Sequence, residues 1–357
     1  MAIRLPSLIM TNAIQTGLLA YGMSGQVFQA PFVAAHPGFA LRAVAERTRK
    51  QARQHYPDII SYDSVAELLG DTAIELVIVN TPNDTHVALA RQALQAGKHV
   101  LLEKPVATSV AEVQELWQLA RSVNRRIFAY QNRRYDSDFQ LVQQVVAGGQ
   151  LGPLAEATFR FDRYKLALNH KRFKETPALP GSGLLFDLGP HLLDQALSLF
   201  GRPARVRRTL GRFRPGSQVD DYFQLQLLYP HGPVVTLVSG LVIAQPLPAY
   251  VLHGTLGSFR KTRADVQEAQ LLQGLTPLDA AYGLEPASEA GLLTLVAADG
   301  QQTQQPLPAP KGDYLQLFEA VYQSLRRGAP YPISEEQLVW QLQALTEPDE
   351  HWEMPAN

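Results

Sequence analysis

The 357-residue chain contains no cysteine. Disulfides, thiolate metal sites and a cysteine nucleophile are excluded, and the composition fits a reducing compartment. Excess charge is missing too: 32 basic against 33 acidic residues leave a net charge of −1 with histidine neutral. With no basic face and no long run of one sign, nucleic acid and anionic membranes are poor partners. Long apolar runs are also absent. Near the N-terminus only Leu8-Ile9-Met10 stands out, too short for a signal-peptide core, and no stretch suits a bilayer span. The expectation is a soluble cytoplasmic protein whose translation starts at Met1 or Met10. No G-x-S-x-G elbow supports serine hydrolysis.

Apolar residues make up 46% and charged residues 18%, a globular composition long enough for two domains. Up to Gln131 the chain alternates strand and helix. Strands are expected at Ile14–Ala20, Phe39–Ala45, Glu75–Asn80, Val100–Leu102 and Ile127–Gln131. Helices are expected from about Gly25, with Val27, Phe28, Phe32 and Val33 inward, and at Ser64–Leu69, Asp84–Ala96 and Ser109–Val123. Continuous apolar strands in this order predict a doubly wound parallel sheet. From Asn132 the grammar changes to long strands with hairpin-type spacing: Glu156–Arg163, Arg205–Arg212, Tyr222–Tyr229, Val234–Ile243 and Tyr250–His253. These predict an α+β domain built on a large, mostly antiparallel open sheet. One helix, Gly183–Phe200, interrupts them, and helices near Tyr314–Arg326 and Ser334–Leu345 close the chain. Lys261–Thr276 and its sequel read as irregular, and the end as a loose tail. The boundary falls between domains 1–131 and 132–357.

The first strand runs into Ala20-Tyr-Gly22-Met23-Ser24-Gly25. Against the dinucleotide fingerprint G-x-G-x-x-G, positions 20, 22 and 25 read Ala-Gly-Gly. The second glycine lets backbone approach a pyrophosphate, and the third permits close helix–strand packing. Alanine at the first position works where its φ stays negative. Glu46 follows Gly25 by 21 residues, near the spacing of the acid that holds an adenosine ribose. Arg47, beside it, is placed to receive a 2′-phosphate instead. The cofactor is NAD or NADP, and the carboxylate tilts the balance to NAD. Asn80, Thr81 and Pro82 end one strand and Glu103-Lys104-Pro105 ends another; both ends face the crevice where ligands bind in such sheets. Glu-Lys is also a common solvated surface pair.

In the second half, Asp187 and His191 stand four residues apart on one helix face, after a Gly181-Ser182-Gly183 entry. A carboxylate that orients an imidazole makes a proton-transfer unit; the plainer alternative is a capped helix with a surface ion pair. The spacing supplies no third ligand, so no metal is expected.

Together the residues resemble the Gfo/Idh/MocA oxidoreductases from about Ile14 to Leu345. The resemblance rests on the glycine turn Ala20–Gly25, Glu103-Lys104-Pro105, and Gly183-x-x-x-Asp187-x-Gly189-x-His191. It is closer still to the branch of NADPH-dependent scyllo-inositol dehydrogenases through Gly22–Phe28, Asn132-Arg-Arg134 and Asp187-Leu-Gly-Pro-His191. Gln29 departs from that branch, where histidine is common. The resemblance implies a dehydrogenase acting on a secondary alcohol of a cyclic polyol or sugar, with Lys104, Asp187 and His191 catalytic. It adds Asn83, His86 and Glu103 to the cofactor residues, and Asn132, Arg133 and Tyr164 as substrate contacts. It also implies a homo-oligomer, a dimer or tetramer paired through the second-domain sheet. The rival reading is a non-catalytic dinucleotide-binding regulator of the same fold.

Overall fold

The computed structural model describes residues 12–168, 175–177 and 179–354; Met10 lies outside them. By its internal contacts the chain divides into two compact units. The first holds residues up to Asn132 together with Gln267–Tyr282 and Asp313–Glu335. The second holds Arg133–Val266, Gly283–Gly312 and the chain from Glu336 onward. The single boundary expected at 131/132 is not the whole division, because two later segments return to the first unit. The physical reason is an aromatic cluster: Phe318, on the helix Leu315–Arg327, stacks on Phe32 with ring centroids 5.7 Å apart, and Tyr282 and Tyr314 flank the same ring.

The first unit is built on a six-stranded sheet of β1 (Ile14–Leu18), β2 (Phe39–Ala45), β3 (Ile60–Tyr62), β4 (Leu76–Val79), β5 (His99–Leu102) and β6 (Ile127–Ala129). Its order is β3-β2-β1-β4-β5-β6 with every pair parallel. All four residues of β4, Leu-Val-Ile-Val, are fully buried, as expected of a strand covered on both faces. The strand order reverses between β1 and β4, and ligands of open α/β sheets bind at the carboxyl ends around such a switch. The helix Val110–Ser122 opens with a complete capping box between Ser109 and Glu112, and His86–Gln95 closes at Gly97 with φ +73°.

One helix differs from its expected phase. Ser24–Gln29 is a π turn, followed by the α-helix Ala30–Ala35. The wide turn rotates the sequence, so Gly25 and Gln29 are buried while Val27 and Phe28 are only half-buried. Phe32 and Val33 point inward as the spacing predicts. π turns inside helices occur frequently at functional sites.

The second unit carries a nine-stranded sheet. Its strands are β7 (Leu154–Arg160), β8 (Arg205–Gly211), β9 (Tyr222–Leu228), β10 (Val234–Gly240), β11 (Tyr250–Gly254), β12 (Gly257–Lys261), β13 (Gly291–Val296), β14 (Gln302–Leu307) and β15 (Glu350–Glu353). The order is β14-β13-β12-β11-β7-β10-β9-β8-β15. Pairing is antiparallel except for β7 with β10 and β8 with β15. β12 to β15 correct the sequence reading. β14, Gln-Thr-Gln-Gln-Pro-Leu, is almost wholly exposed and carries Pro306, as an edge strand can. The tail is not loose, because Asp349 and Val206 exchange hydrogen bonds through both backbones and the Asp349 carboxylate, docking β15 on β8. Within the stretch expected to be irregular, Gln267–Leu272 is helical.

The helix Gly183–Phe200 packs over β9 and β10. On the helix Leu184, Leu185, Leu188, Leu192 and Leu193 are buried, and on the two strands Phe223, Leu225, Leu227, Val235 and Leu237 are fully buried. Burial of each such side chain contributes about 1.5–3 kcal/mol. Val235 and Leu237 are therefore core residues. Among the described residues no helix is long and apolar enough to cross a membrane.

Candidate active site

The turn after β1 is held by one side chain. Asn80, at the end of β4, accepts from the Ala20 N–H (3.0 Å) and donates to the Ala20 carbonyl (2.9 Å). Ala20 does not have a positive φ; among the described non-glycine residues only Asn124 does. The missing fingerprint glycine is thus no obstacle. Gly25 is required by proximity: a Cβ there would lie 2.4 Å from the Ala20 carbonyl oxygen and 3.0 Å from Asn80 Nδ2. Gly22 is exposed, and a Cβ on it would meet nothing within 4 Å. Its backbone faces open space, and Met23 beside it is exposed. The tight approach at Gly25 and the exposed Gly22 fit the turn of a dinucleotide-binding fold.

Glu103 is the hub behind this turn. Its Oε1 accepts from Ser24 Oγ (2.6 Å) and Gln29 Nε2 (2.9 Å), and its Oε2 from the Lys104 N–H (3.2 Å). The Glu-Lys pair is thus not a plain surface pair: the glutamate ties β5 to the π turn, and Lys104 follows it half-buried. Ser24 spends its hydroxyl on that carboxylate. Gln29, fully buried, is the last residue of the π turn, and from that position its amide reaches Glu103.

His86 was expected among the cofactor residues. It is 1% exposed, and its two ring nitrogens sit 2.8 Å from the Pro105 carbonyl and 2.9 Å from the Thr81 carbonyl. It braces the loops after β4 and β5 against each other. The Thr81 hydroxyl pairs with that of Thr85 at 2.6 Å, Asn83 is half-buried, and Pro82 is exposed at the strand end.

Glu46 departs most from expectation. It is buried, and its Oε1 accepts the N–H groups of Gln51 (2.8 Å) and Ala52 (3.2 Å) while Oε2 accepts Ser61 Oγ (2.8 Å). The expected ribose ligand is a structural anchor between the helix Ala52–His55 and β3. Arg47, next to it, is exposed.

In the second unit the helix Gly183–Phe200 places Asp187 and His191 one turn apart, Asp187 half-buried and His191 6% exposed. The Ser182 side chain does not cap this helix. Asp220 does: its carbonyl accepts the Leu184 N–H (3.0 Å) and its Oδ2 the Leu185 N–H (2.6 Å). Gly183 has φ +84°, and a Cβ there would lie 2.1 Å from Asp220 Oδ1, so the entry must be glycine. Burial pushes the Asp220 carboxyl up to about 6. Farther along, the carbonyl of Pro190, just before His191, accepts from Gln341 Nε2 (2.8 Å). A cleft beside Asp187 is lined by Arg163, Lys165, Glu175, Arg214 and Asp220.

The expected substrate contacts fall in different settings. Asn132 is buried at the start of the 3₁₀ turn Asn132–Tyr135. The Arg133 guanidinium lies 5.0 Å over the Phe161 ring and 3.4 Å from Asp136 Oδ2. Tyr164 is 60% exposed and bridges to Val242. Arg134 makes a buried two-point ion pair with Asp194 (2.7 and 2.9 Å), anchoring this turn to the helix that carries His191. Among the described residues no group of His, Asp and Glu has the arrangement to hold a metal ion.

A model of the oxidoreductase family with an NAD-binding Rossmann fold matches residues 14–131, and the Gfo/Idh/MocA C-terminal domain matches residues 139–260. The chain is 36% identical over 345 residues to the uncharacterized oxidoreductase C115.03 of Schizosaccharomyces pombe, covering 91% of this chain and 94% of that protein. It is 32% identical over 327 residues to scyllo-inositol 2-dehydrogenase (NADP(+)) IolW of Bacillus subtilis, covering 91% of this chain and 90% of that one. The crystal structure of an oxidoreductase from Bacillus cereus matches with a TM-score of 0.86 at 30% identity, over 93% of this chain and 95% of its own. The glycine turn, the Glu103 hub and these similarities agree: the chain is an NAD(P)-binding dehydrogenase that belongs to the Gfo/Idh/MocA oxidoreductase family.

Proposed function

We propose that the enzyme reversibly oxidises a secondary alcohol on a cyclic polyol or sugar of the inositol type. The observation that carries this reading is the similarity to scyllo-inositol 2-dehydrogenase over nine-tenths of both chains. The acid–histidine pair on one helix face supports it. When bound, the nicotinamide accepts or returns the hydride. His191 takes the hydroxyl proton, since an imidazole exchanges protons near neutral pH in both directions. Lys104 hydrogen-bonds the substrate oxygen and stabilises the charge that develops on it. Asp187 binds a neighbouring hydroxyl and orders the site. Asn132, Arg133 and Tyr164 are proposed hydroxyl contacts, and copies of the chain pair through the second-unit sheet.

The test follows nicotinamide absorbance during incubation with NAD or NADP and a panel of inositols and aldoses. Reduction with one ring stereoisomer supports the proposal. Tight dinucleotide binding with no turnover on any substrate favours the regulator reading instead.

A further inference from the structure

The cleft beside Asp187 has two walls. One is the start of the helix Gly183–Phe200, which brings Gly183, Leu184 and Asp187; the other is the segment that follows β7, which brings Arg163 and Lys165. Both walls are tied to one place in the chain, the adjacent acids Asp220 and Asp221 just before β9.

Asp220 holds the helix wall. The first N–H groups of a helix have no partner within it, and here Asp220 supplies two acceptors from outside, its carbonyl for Leu184 and its carboxylate for Leu185. Gly183, with φ +84°, leaves room for that carboxylate. Asp187 follows Leu185 by half a turn and His191 by one turn more. A helix start that slips or frays therefore displaces the proton-transfer pair.

Asp221 holds the other wall, and does so through Arg214. The Asp221 carboxylate is fully buried; its Oδ1 accepts the Phe213 N–H (2.7 Å), and its Oδ2 accepts the Arg214 N–H (2.8 Å) and Nε (3.3 Å). The same guanidinium, its side chain 2% exposed, donates to the Ala167 carbonyl (3.3 Å) and to both Glu175 oxygens (3.2 and 3.1 Å). One arginine thus gathers two points of the chain between β7 and the helix and fixes them on Asp221. The backbone repeats the tie: the Leu241 N–H donates to the Asp221 carbonyl (2.9 Å), and the Lys165 N–H donates to the Leu241 carbonyl (2.8 Å). Only a planar fork of several donors can make these contacts at once, so lysine cannot replace Arg214 although it keeps the charge.

We infer that Asp220 and Asp221 position the two walls of the substrate cleft separately. Asp220 sets the placement of Asp187 and His191, and with it turnover. Asp221, through the Arg214 clamp, sets the placement of Arg163 and Lys165, and with it the fit of the substrate. The inference rests on the dehydrogenase reading for the role of the cleft, and it makes Asp220, Asp221 and Arg214 positioning residues.

The test compares full-length Asp220→Ala, Asp220→Asn, Arg214→Lys and Glu175→Gln with the wild type, on whichever inositol or aldose is turned over. Asp220→Ala should lower kcat by roughly tenfold or more with KM within about threefold, since small misplacements of reacting groups are costly. Asp220→Asn keeps the acceptor and should restore kcat to within about threefold of wild type. Arg214→Lys should raise KM by roughly tenfold with kcat within about threefold, the pattern of lost ground-state binding. Glu175→Gln should act in the same direction and more weakly. A merely structural role would lower melting temperatures and leave both constants of the folded enzyme unchanged. Limited tryptic digestion needs no substrate: cleavage after Lys165 should be at least about tenfold faster in Arg214→Lys, and unchanged in Asp220→Asn, because proteolysis reports local opening.

Unchanged KM in Arg214→Lys, or kcat and KM altered alike by substitutions at positions 220 and 214, overturns the inference and leaves the dehydrogenase reading standing. Unchanged cleavage after Lys165 in Arg214→Lys removes the clamp and overturns it as well. No turnover on any polyol or sugar overturns the dehydrogenase reading and the inference's claim on turnover, while the digestion decides the clamp independently.

Discussion

The side-chain amide of Gln29 donates to Glu103 Oε1 at 2.9 Å, from a position with no exposure to solvent. The bond joins the π turn to the end of β5, one residue before Lys104. Gln29 Oε1 is buried and has no hydrogen-bond partner among the described residues, so the amide is held by this one contact. Gln29→Leu removes one of the two donors to Glu103 Oε1 and is expected to cost about 1 kcal/mol, the usual net worth of one hydrogen bond. It should also lower turnover more than it changes dinucleotide affinity. Urea unfolding and single-turnover kinetics measure both, and unchanged stability would show that Ser24 alone satisfies the carboxylate.

Gly25→Ala and Ala20→Gly should behave oppositely. The added methyl at position 25 meets the backbone oxygen of Ala20 at 2.4 Å, so the turn must open, and dinucleotide affinity should fall by at least about tenfold. Restoring the fingerprint glycine at position 20 should leave affinity within about twofold and cost stability by roughly 0.5–1 kcal/mol through backbone entropy. Titration calorimetry of the two variants checks this, and a clear gain of affinity in Ala20→Gly would contradict it.

Lys104→Ala should abolish turnover on the true substrate and leave dinucleotide binding within a few-fold of wild type. Lost binding with retained chemistry in the bound fraction would move Lys104 from the catalytic role to a cofactor contact.

Asp220 gives a pH signature. Burial raises its carboxyl from an ordinary value of 3.8 to about 6. Between those values the folded chain holds a proton that the unfolded chain has released, so this group's contribution to stability falls as pH rises. Asp220→Asn keeps an acceptor for the Leu185 N–H and removes the titration. Its stability relative to wild type is therefore expected to rise across pH 4 to 7, by roughly 3 kcal/mol at most. Urea unfolding at several pH values reads the difference, and a flat difference would remove Asp220 from the titrating groups.

Much of the first sheet was legible because its strands are buried on both faces. Leu76–Val79 has no polar residue to confuse the period, and Ser109 with Glu112 announces a helix start by its own chemistry. β14 escaped notice because an exposed edge strand buries nothing and so leaves no alternation. At the site, the 21-residue spacing located Glu46 correctly at the end of β2, but spacing reports where a residue sits and not which way its side chain turns. The N–H groups of Gln51 and Ala52 took the carboxylate first. His86 was spent in the same way on two carbonyl oxygens. Gln29 was out of reach for a further reason: a π turn changes which residues share a face, and no propensity in Ser24–Gln29 announces it.

The return of Gln267–Tyr282 and Asp313–Glu335 to the first unit bears on synthesis. A nascent chain that has reached Lys261 already contains all six strands of the parallel sheet, yet Phe32 and Phe39 still lack the ring of Phe318 that covers them. Until Phe318 has been made, the faces of these rings that it covers are open. Newly made protein is therefore most exposed to aggregation in the interval between its last Rossmann strand and its penultimate helix, and a fragment cut at the apparent boundary near residue 131 inherits the same uncovered face permanently.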